Sequence, residues 1–425
     1  MGLGSIWRFP YIAGENGGGL FFFLFIVFVV LMGLPVMVSE IAVGRAGRVN
    51  PVDSLERLSL AAGGSRHWRY VAWCGAITAI MVLSFYSVVA GWALHYLILS
   101  LTGSVTGSSI VAASEQMNNF LLSPVLVIVF HTFFMLLTIW VNSRQVSQGI
   151  GKLNAWLMPL MYGLLLFLMM WAATLPGFIK AIDYLFMPRF DSLSWRVILE
   201  AMGHAFFTLA VGACCLMAYG AYMPSKQPMI KSVILVAVMD VLVAMMAGVV
   251  IFSLLFSEDL DPSAGPGLMF VTLPVVLSAM PLGSLFLPLF FSLLVMATWT
   301  SSVNLLESMV VMLSERFALT RKFATWLSGA IVWALGIIPA LSFNVFRNLE
   351  PIPGWTIFDV YTAIATQVLL PLTGLLILFF AGYVMDKEVL LRQLGQNRIS
   401  SLLWRGIIRY VSPVLVLIIL IFGLI

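Results

Sequence analysis

Long apolar runs with almost no charge recur along this chain, separated by short polar stretches. Each run of 18 or more such residues is long enough to cross the hydrocarbon core of a bilayer as a helix. The pattern predicts an apolar fragment at residues 2–14, then full spans near 19–43, 70–101, 123–142, 155–174, 201–222, 230–256, 284–313, 323–343, 357–383 and 406–425. That is an all-α polytopic membrane protein of about 11 spans, the first incomplete.

Three spans are irregular. The first is broken by Gly2 and Gly4, carries Arg8, and re-enters glycine at Asn16-Gly17-Gly18-Gly19. The sixth runs from Phe206-Phe207 into the small residues Thr208-Leu209-Ala210-Val211-Gly212-Ala213-Cys214-Cys215. The eighth carries Ala297-Thr298-Trp299-Thr300-Ser301-Ser302 within an apolar helix. At membrane depth, unwound backbone is tolerated only where it lines a cavity, and an ionisable side chain marks a functional site by default. Broken helices at matching positions of two five-helix halves point to a carrier with its site at the bilayer midplane. Their free N–H groups suit a carboxylate, and their free C=O groups suit Na⁺ or an ammonium. The bland alternatives are a glycine used for helix packing and a Thr or Ser bonded back to its own helix.

Composition agrees with the pattern. Of 425 residues, 61% are apolar and 9% charged, where a soluble domain carries about 25% charged. The chain therefore reads as one transmembrane domain over 1–425, with no soluble domain, low-complexity linker or cleavable signal peptide. Cys74, Cys214 and Cys215 have spacings that suit neither a disulfide framework nor a zinc site. Alternation of the spans leaves Arg8, Lys180, Arg189, Arg196 and Arg347 on one side, with the acidic Glu258-Asp259-Leu260-Asp261 loop. The other 17 of the 22 Lys and Arg lie on the opposite side. The positive-inside rule then makes the loops after even-numbered spans cytoplasmic, in a cell inner membrane.

Few intramembrane groups can ionise. His95, His131 and His204 read as bundle residues. Glu40, Asp240 and Glu307 rank higher, because a buried carboxylate is costly unless paired or hydrogen-bonded. Asp240 has no basic residue within reach on its own helix. No nucleophile–base constellation or metal-ligand cluster stands out, so the chain reads as a non-enzyme. No nucleic-acid partner is expected; the partners are a small molecule and the bilayer.

The segment Gly2-Leu3-Gly4-Ser5-Ile6-Trp7-Arg8-Phe9-Pro10 with its following Asn-Gly-Gly-Gly resembles the first-span signature of the neurotransmitter:sodium symporters. Further pieces agree: Glu40 before Gly44-Arg45, Tyr86-Ser87-Val88-Val89-Ala90-Gly91-Trp92, Phe206-Phe207-Thr208-Leu209, Ala264-Gly265-Pro266-Gly267-Leu268, and Ser301-Ser302 followed by Glu307. Together they are specific, and they run the length of the chain. This family is itself a type case of broken-helix inverted-repeat carriers. The resemblance implies repeats over about 1–174 and 201–383, with an extra helix at 406–425.

It also implies sites. A first sodium site falls on Ser5, Thr208 and Asp240. In the chloride-dependent members a Ser stands one turn beyond; here it is Ala244. Asp240 would supply the counter-charge, so chloride would not be required, and a carboxylate there could instead exchange a proton. A second sodium site falls on Ala297, Thr300 and Ser301, with two carbonyls that belong upstream of Met1. One or two Na⁺ are thus implied. Gly2, Leu3, Gly4 and Tyr86 would take a substrate carboxylate, and carbonyls around Phe207 and Thr208 an amine. Val82, Phe207, Ala210, Ala213, Ser301 and Leu305 would wall the side-chain pocket. Gly2 stands where monoamine carriers have Asp, which leaves room for the carboxylate of an amino acid. Ala213 replaces a bulkier residue, which favours a neutral, apolar or aromatic one. Arg8 matches an outer-gate arginine, but its usual acidic partner falls near Thr362, with Asp359 one turn away. Glu315 matches an inner-gate acid.

The inner half of the first helix is expected before Met1, where the family commonly has Val. A GTG valine codon can serve as a start, so a misplaced start is the favoured explanation. The expectation is a sodium-coupled amino-acid symporter working by alternating access. The alternative is a non-transporting amino-acid-binding sensor or an inactive truncated remnant.

Overall fold

The computed structural model describes residues 2–105, 109–144, 146–263, 265–395 and 397–422. Met1 and Ala264, both invoked above, lie outside the described residues. Among the described residues, nine helices are long and apolar enough to cross a membrane. They are α2 (Gly19–Gly47), α3 (Arg66–Leu101), α4 (Pro124–Asn142), α5 (Gln148–Ala172), α7 (Met229–Ser257), α8 (Gly283–Arg316), α9 (Arg321–Ala340), α10 (Ile357–Val384) and α11 (Arg398–Phe422). The first and sixth expected spans are absent from this set because neither has a long unbroken helix. The first, α1, joins a π-turn Gly4–Arg8 to an α-helix Phe9–Glu15. The sixth is two pieces, α6a (Trp195–Thr208) and α6b (Cys215–Tyr222).

Several ends differ from the apolar pattern, for a common reason. Helix α5 begins at Gln148 and α11 at Arg398, each about a turn or two before its apolar run. Lys152 in one case and Arg398 and Arg405 in the other lower the local hydropathy, although the backbone is already helical. Side-chain caps set such starts. Asn397 accepts from Ile399 N at 3.1 Å, and Ser194 accepts from Val197 N at 3.3 Å ahead of α6a.

Small residues let the helices around the centre approach at backbone distance, as membrane bundles require. A Cβ on Gly44 of α2 would lie 1.9 Å from Met217 O of α6b, and one on Gly220 would lie 2.6 Å from Ile41 O. A Cβ on Gly4 would come within 2.9 Å of the Thr208 Cα, so α1 and the end of α6a also touch backbone to backbone. Behind this contact Phe9, Phe21 and Phe25 surround the buried His204, with ring centroids 5.0–5.8 Å away. The outward faces of α4, α5 and α11 expose large apolar side chains such as Trp140, Trp156 and Leu403.

Candidate functional site

The sixth span breaks where small residues and glycine made continuation weakest. Between α6a and α6b the backbone turns left-handed at Ala210 (φ 49°), Gly212 (φ 89°) and Cys214 (φ 55°). A left-handed non-glycine residue costs roughly 1–2 kcal/mol, so this linker must be held by its surroundings. Glu40, fully buried on α2, does part of that: Gly212 N–H donates to its Oε1 at 2.6 Å. The linker also presses on α10, since a Cβ on Gly212 would fall 2.2 Å from Leu370 O.

The break delivers Thr208 to a polar cluster built from three separate elements. Ser5 Oγ of α1 donates to Asp240 Oδ1 of α7 at 2.6 Å, and Thr208 Oγ1 donates to Asp240 Oδ2 at 2.8 Å. The two hydroxyls are 3.0 Å apart. All three side chains are buried, Asp240 at 2% exposure. The result is a compact set of oxygens carrying one carboxylate, the ligand chemistry that hard cations prefer.

A cavity of about 530 Å³ adjoins this cluster, with Asp240 and Thr208 in its wall. It is lined by ten of the eleven residues expected to meet a substrate: Gly2, Leu3, Gly4, Val82, Tyr86, Phe207, Thr208, Ala210, Ser301 and Leu305. The eleventh, Ala213, does not line it; the linker turns it into the protein, where it is 1% exposed. One corner of the cavity is tightly built. Leu3 N–H donates to the Tyr86 hydroxyl at 3.1 Å, and that hydroxyl is hydrogen-bonded to Ser301. A Cβ on Gly2 would lie 2.5 Å from both the Tyr86 and Ser301 oxygens, so no larger residue fits here without displacing them.

The cavity also has walls that the sequence reading missed. Asn304 lies one turn beyond Thr300 on α8; its Oδ1 accepts from Tyr219 of α6b at 2.8 Å, and both residues line the space. A lone amide in an apolar helix was a usable signal for Asn304. The apolar wall formed by Met158, Leu235 and Met239 gave none.

A second cavity, of about 600 Å³, lies on the other side of Phe207, the one described residue that lines both. The Arg8 guanidinium sits 4.7 Å over the Phe207 ring, and Phe85 stacks against it at 6.4 Å. Asp359 lines this second cavity too, but it does not pair with Arg8. Its carboxylate closes a capping box instead, accepting from Thr356 N at 3.0 Å and Thr356 Oγ1 at 2.7 Å. The helix N-terminus competes for that carboxylate and wins by proximity. At the far end of the bundle Glu315 accepts from Asn50 N–H at 2.8 Å. Nearby, Arg316 pairs with Asp53 at 2.5 Å, and Arg321 forks onto the buried Glu307 at 2.6 and 2.8 Å.

The residues expected to form a second ion set lie together on one helix, apart from the Asp240 cluster. Ala297, Thr300 and Ser301 all lie on α8, and only Ser301 reaches the cavity. Thr300 Oγ1 bonds back to the carbonyls of Met296 and Ala297, both at 3.1 Å. Likewise, the expected break at Gly2–Gly4 is not seen from Leu3 onward, where the backbone is already helical (φ −55°, ψ −31°).

Known proteins resemble this arrangement over its whole length. The model of the Sodium:neurotransmitter symporter family matches residues 1–110 and 125–425. An uncharacterized sodium-dependent transporter of Bacillus subtilis, YhdH, is 33% identical over 423 residues, covering 99% of this chain and 93% of that protein. The sodium-dependent serotonin transporter of Drosophila melanogaster is 25% identical, covering 99% of this chain and 73% of its own length. The crystal structure of MhsT in complex with L-phenylalanine superposes with a TM-score of 0.91 at 35% identity, covering 100% of this chain and 96% of that one. With its oxygen cluster between α1, α6a and α7 and a helix broken beside a cavity, this chain belongs to the sodium:neurotransmitter symporter family, and is a multi-pass sodium-dependent transporter rather than an enzyme.

Proposed function

We propose that the chain carries a neutral, apolar or aromatic amino acid across the membrane, driven by Na⁺ and by alternating access around the 530 Å³ cavity. The single observation that carries this is the buried Ser5–Thr208–Asp240 cluster in the same wall as the Gly2–Tyr86 corner. One Na⁺ binds among these oxygens, and the Ser5 and Thr208 hydroxyls turn their O–H bonds away from Asp240 to meet it with lone pairs. The substrate carboxylate binds beside it, on the N–H groups of Leu3 and Gly4 and on the Tyr86 hydroxyl. Its ammonium faces the carbonyls around Phe207 and Thr208, where α6a ends. Phe207 closes the site toward the outer cavity, with Arg8 over it.

Asp240 brings its own negative charge, so chloride is not required. Ala297, Thr300 and Ser301 form the α8 side of a second Na⁺ site, for which Thr300 must turn its hydroxyl away from its own helix. The two halves, about 1–174 and 201–383, are inverted repeats in an inner membrane, with the loops after even-numbered spans cytoplasmic. The size of the cavity and its apolar walls support an apolar side chain; so does the neighbour MhsT, whose crystallised complex holds L-phenylalanine.

Uptake of a panel of radiolabelled amino acids into proteoliposomes tests this reading. Accumulation is expected under an inward Na⁺ gradient, and it should survive replacement of chloride by gluconate. Accumulation that follows a proton gradient without Na⁺ would move the coupling ion at Asp240 to H⁺. Sodium-dependent binding without accumulation would instead identify a sensor.

A further inference from the structure

Helices α4 and α9 pack side by side on the lipid-facing surface and leave a groove of about 410 Å³ between them. Phe133, Leu136 and Trp140 of α4 face Trp326 of α9 across it, and Ser143 and Lys322 close one end. The side chains are about half exposed: Phe133 50%, Trp140 55%, Trp326 48%. None of the groove's lining residues belongs to either central cavity.

The charge at this groove is one-sided. Neither α4 nor α9 contains an Asp or Glu. At the closed end the chain places Arg144, Arg321 and Lys322. Arg321 is taken up by Glu307. Arg144 holds its guanidinium 4.1 Å over the Trp140 ring, at the end of the groove. Among the described residues, neither Arg144 nor Lys322 forms an ion pair with a carboxylate. Tryptophans at this level mark the boundary between acyl chains and headgroups. Basic pockets between membrane helices beside such a boundary suit lipid phosphates.

We propose that this groove is a binding site for an anionic phospholipid of the bilayer. One acyl chain lies along Phe133, Leu136 and Trp140 against Trp326, and the phosphate sits between Lys322 and Arg144. Two adjacent cations favour a headgroup with net negative charge and disfavour the quaternary ammonium of phosphatidylcholine. The lipid is tied to the transporter's interior through one residue, because Arg321 Nε donates to Arg144 O at 2.5 Å while its fork holds the buried Glu307 within α8.

The test is thermal unfolding of the purified full chain in detergent, titrated with phosphatidylglycerol or with phosphatidylcholine of the same acyl chains. Phosphatidylglycerol should raise the midpoint and phosphatidylcholine should not. The double variant Arg144→Gln/Lys322→Gln removes two exposed charges and leaves the fold intact. It should need roughly thirtyfold more phosphatidylglycerol for half the shift, from about one lipid contact energy per cation. Lys387→Gln/Arg398→Gln, at exposed positions elsewhere, should keep the full response. Equal stabilisation by both lipids, or an unchanged response in the Arg144/Lys322 variant, overturns the proposal. So does a dimer in light scattering that Trp326→Ala dissociates, because a second copy would then cover the groove.

Discussion

Two stretches of this protein carry small and polar residues at membrane depth, and they behave in opposite ways. Residues 209–214 stop being helical, whereas residues 297–302 continue as helix within α8. Side-chain chemistry explains the difference. In α8 the hydroxyls return to their own helix: Thr298 to Val295 O at 2.9 Å, Thr300 to Ala297 O at 3.1 Å and Ser302 to Thr298 O at 2.9 Å. These three hydroxyls are satisfied locally, so they do not pull the backbone apart. In α6 the Thr208 hydroxyl leaves its helix for Asp240, and the next free N–H groups find an acceptor on another helix, Glu40. A membrane helix unwinds where neighbouring elements replace the hydrogen bonds it gives up.

The strongest way to break this contrast is at Gly212. Alanine there must adopt φ near 89° and also clear the Leu370 carbonyl 2.2 Å from its Cβ. Gly212→Ala should abolish uptake and lower the thermal unfolding midpoint sharply, or prevent recovery of monodisperse protein. Gly203→Ala is the control within the same span, since a Cβ there meets nothing within 4 Å. It should be close to neutral or slightly stabilising, as alanine is the better helix former. A tolerated Gly212→Ala would mean that the linker is not locked by its neighbours.

Asp240→Asn comes next. The amide keeps the size and one acceptor but loses the charge that Ser5 and Thr208 face. Hydrogen bonds and contacts to a charged group contribute about 1.5–3 kcal/mol, so the Na⁺ concentration for half-maximal uptake should rise roughly ten- to hundredfold. If chloride then begins to stimulate transport, the carboxylate was supplying the counter-charge. An unchanged sodium dependence would remove the cluster from the ion site.

Glu40→Ala strips the linker of its outside acceptor and leaves the buried Gly212 N–H without its partner. The expected cost is about 1–3 kcal/mol of stability, measured as a drop in the thermal midpoint, with Glu40→Gln recovering most of it through its remaining oxygen. An equal loss in both variants would show that charge, rather than an acceptor, holds the linker.

The same contrast shows how far the sequence could be read. The span order and Asp240 were legible because apolar runs and rare membrane carboxylates are strong signals; Ser5 and Thr208 came only from the resemblance of their segments to the family's motifs. The break in α6 was legible from Gly212 and the small residues around it. That α8 would stay whole was legible as an apolar span over 284–313, but not whether its Thr and Ser hydroxyls would face inward to a ligand or back to their helix. Ala213 was misplaced for a related reason: three left-handed residues in the linker reverse the faces that a helix would have given. The acidic gate position fell near Thr362, with Asp359 the nearest acid one turn away, but Thr356 stands three residues before Asp359 and captures its carboxylate.

The smallest effect should come from α8, and it separates structure from ion binding there. Thr298 and Thr300 are both buried, and both bond back within the helix. If the hydroxyls serve only the helix, Thr298→Val and Thr300→Val lose the same weak local bond. Both should then shift stability by about 1 kcal/mol or less and leave sodium dependence alone. If Thr300 turns its oxygen to a second Na⁺, only Thr300→Val should raise the half-saturating Na⁺ concentration and lower the steepness of the sodium curve toward one ion. Thr298→Val should leave both unchanged. Measuring sodium titrations of uptake in the two variants side by side therefore decides whether the unbroken helix contributes an ion site, as we propose its broken counterpart does through Thr208.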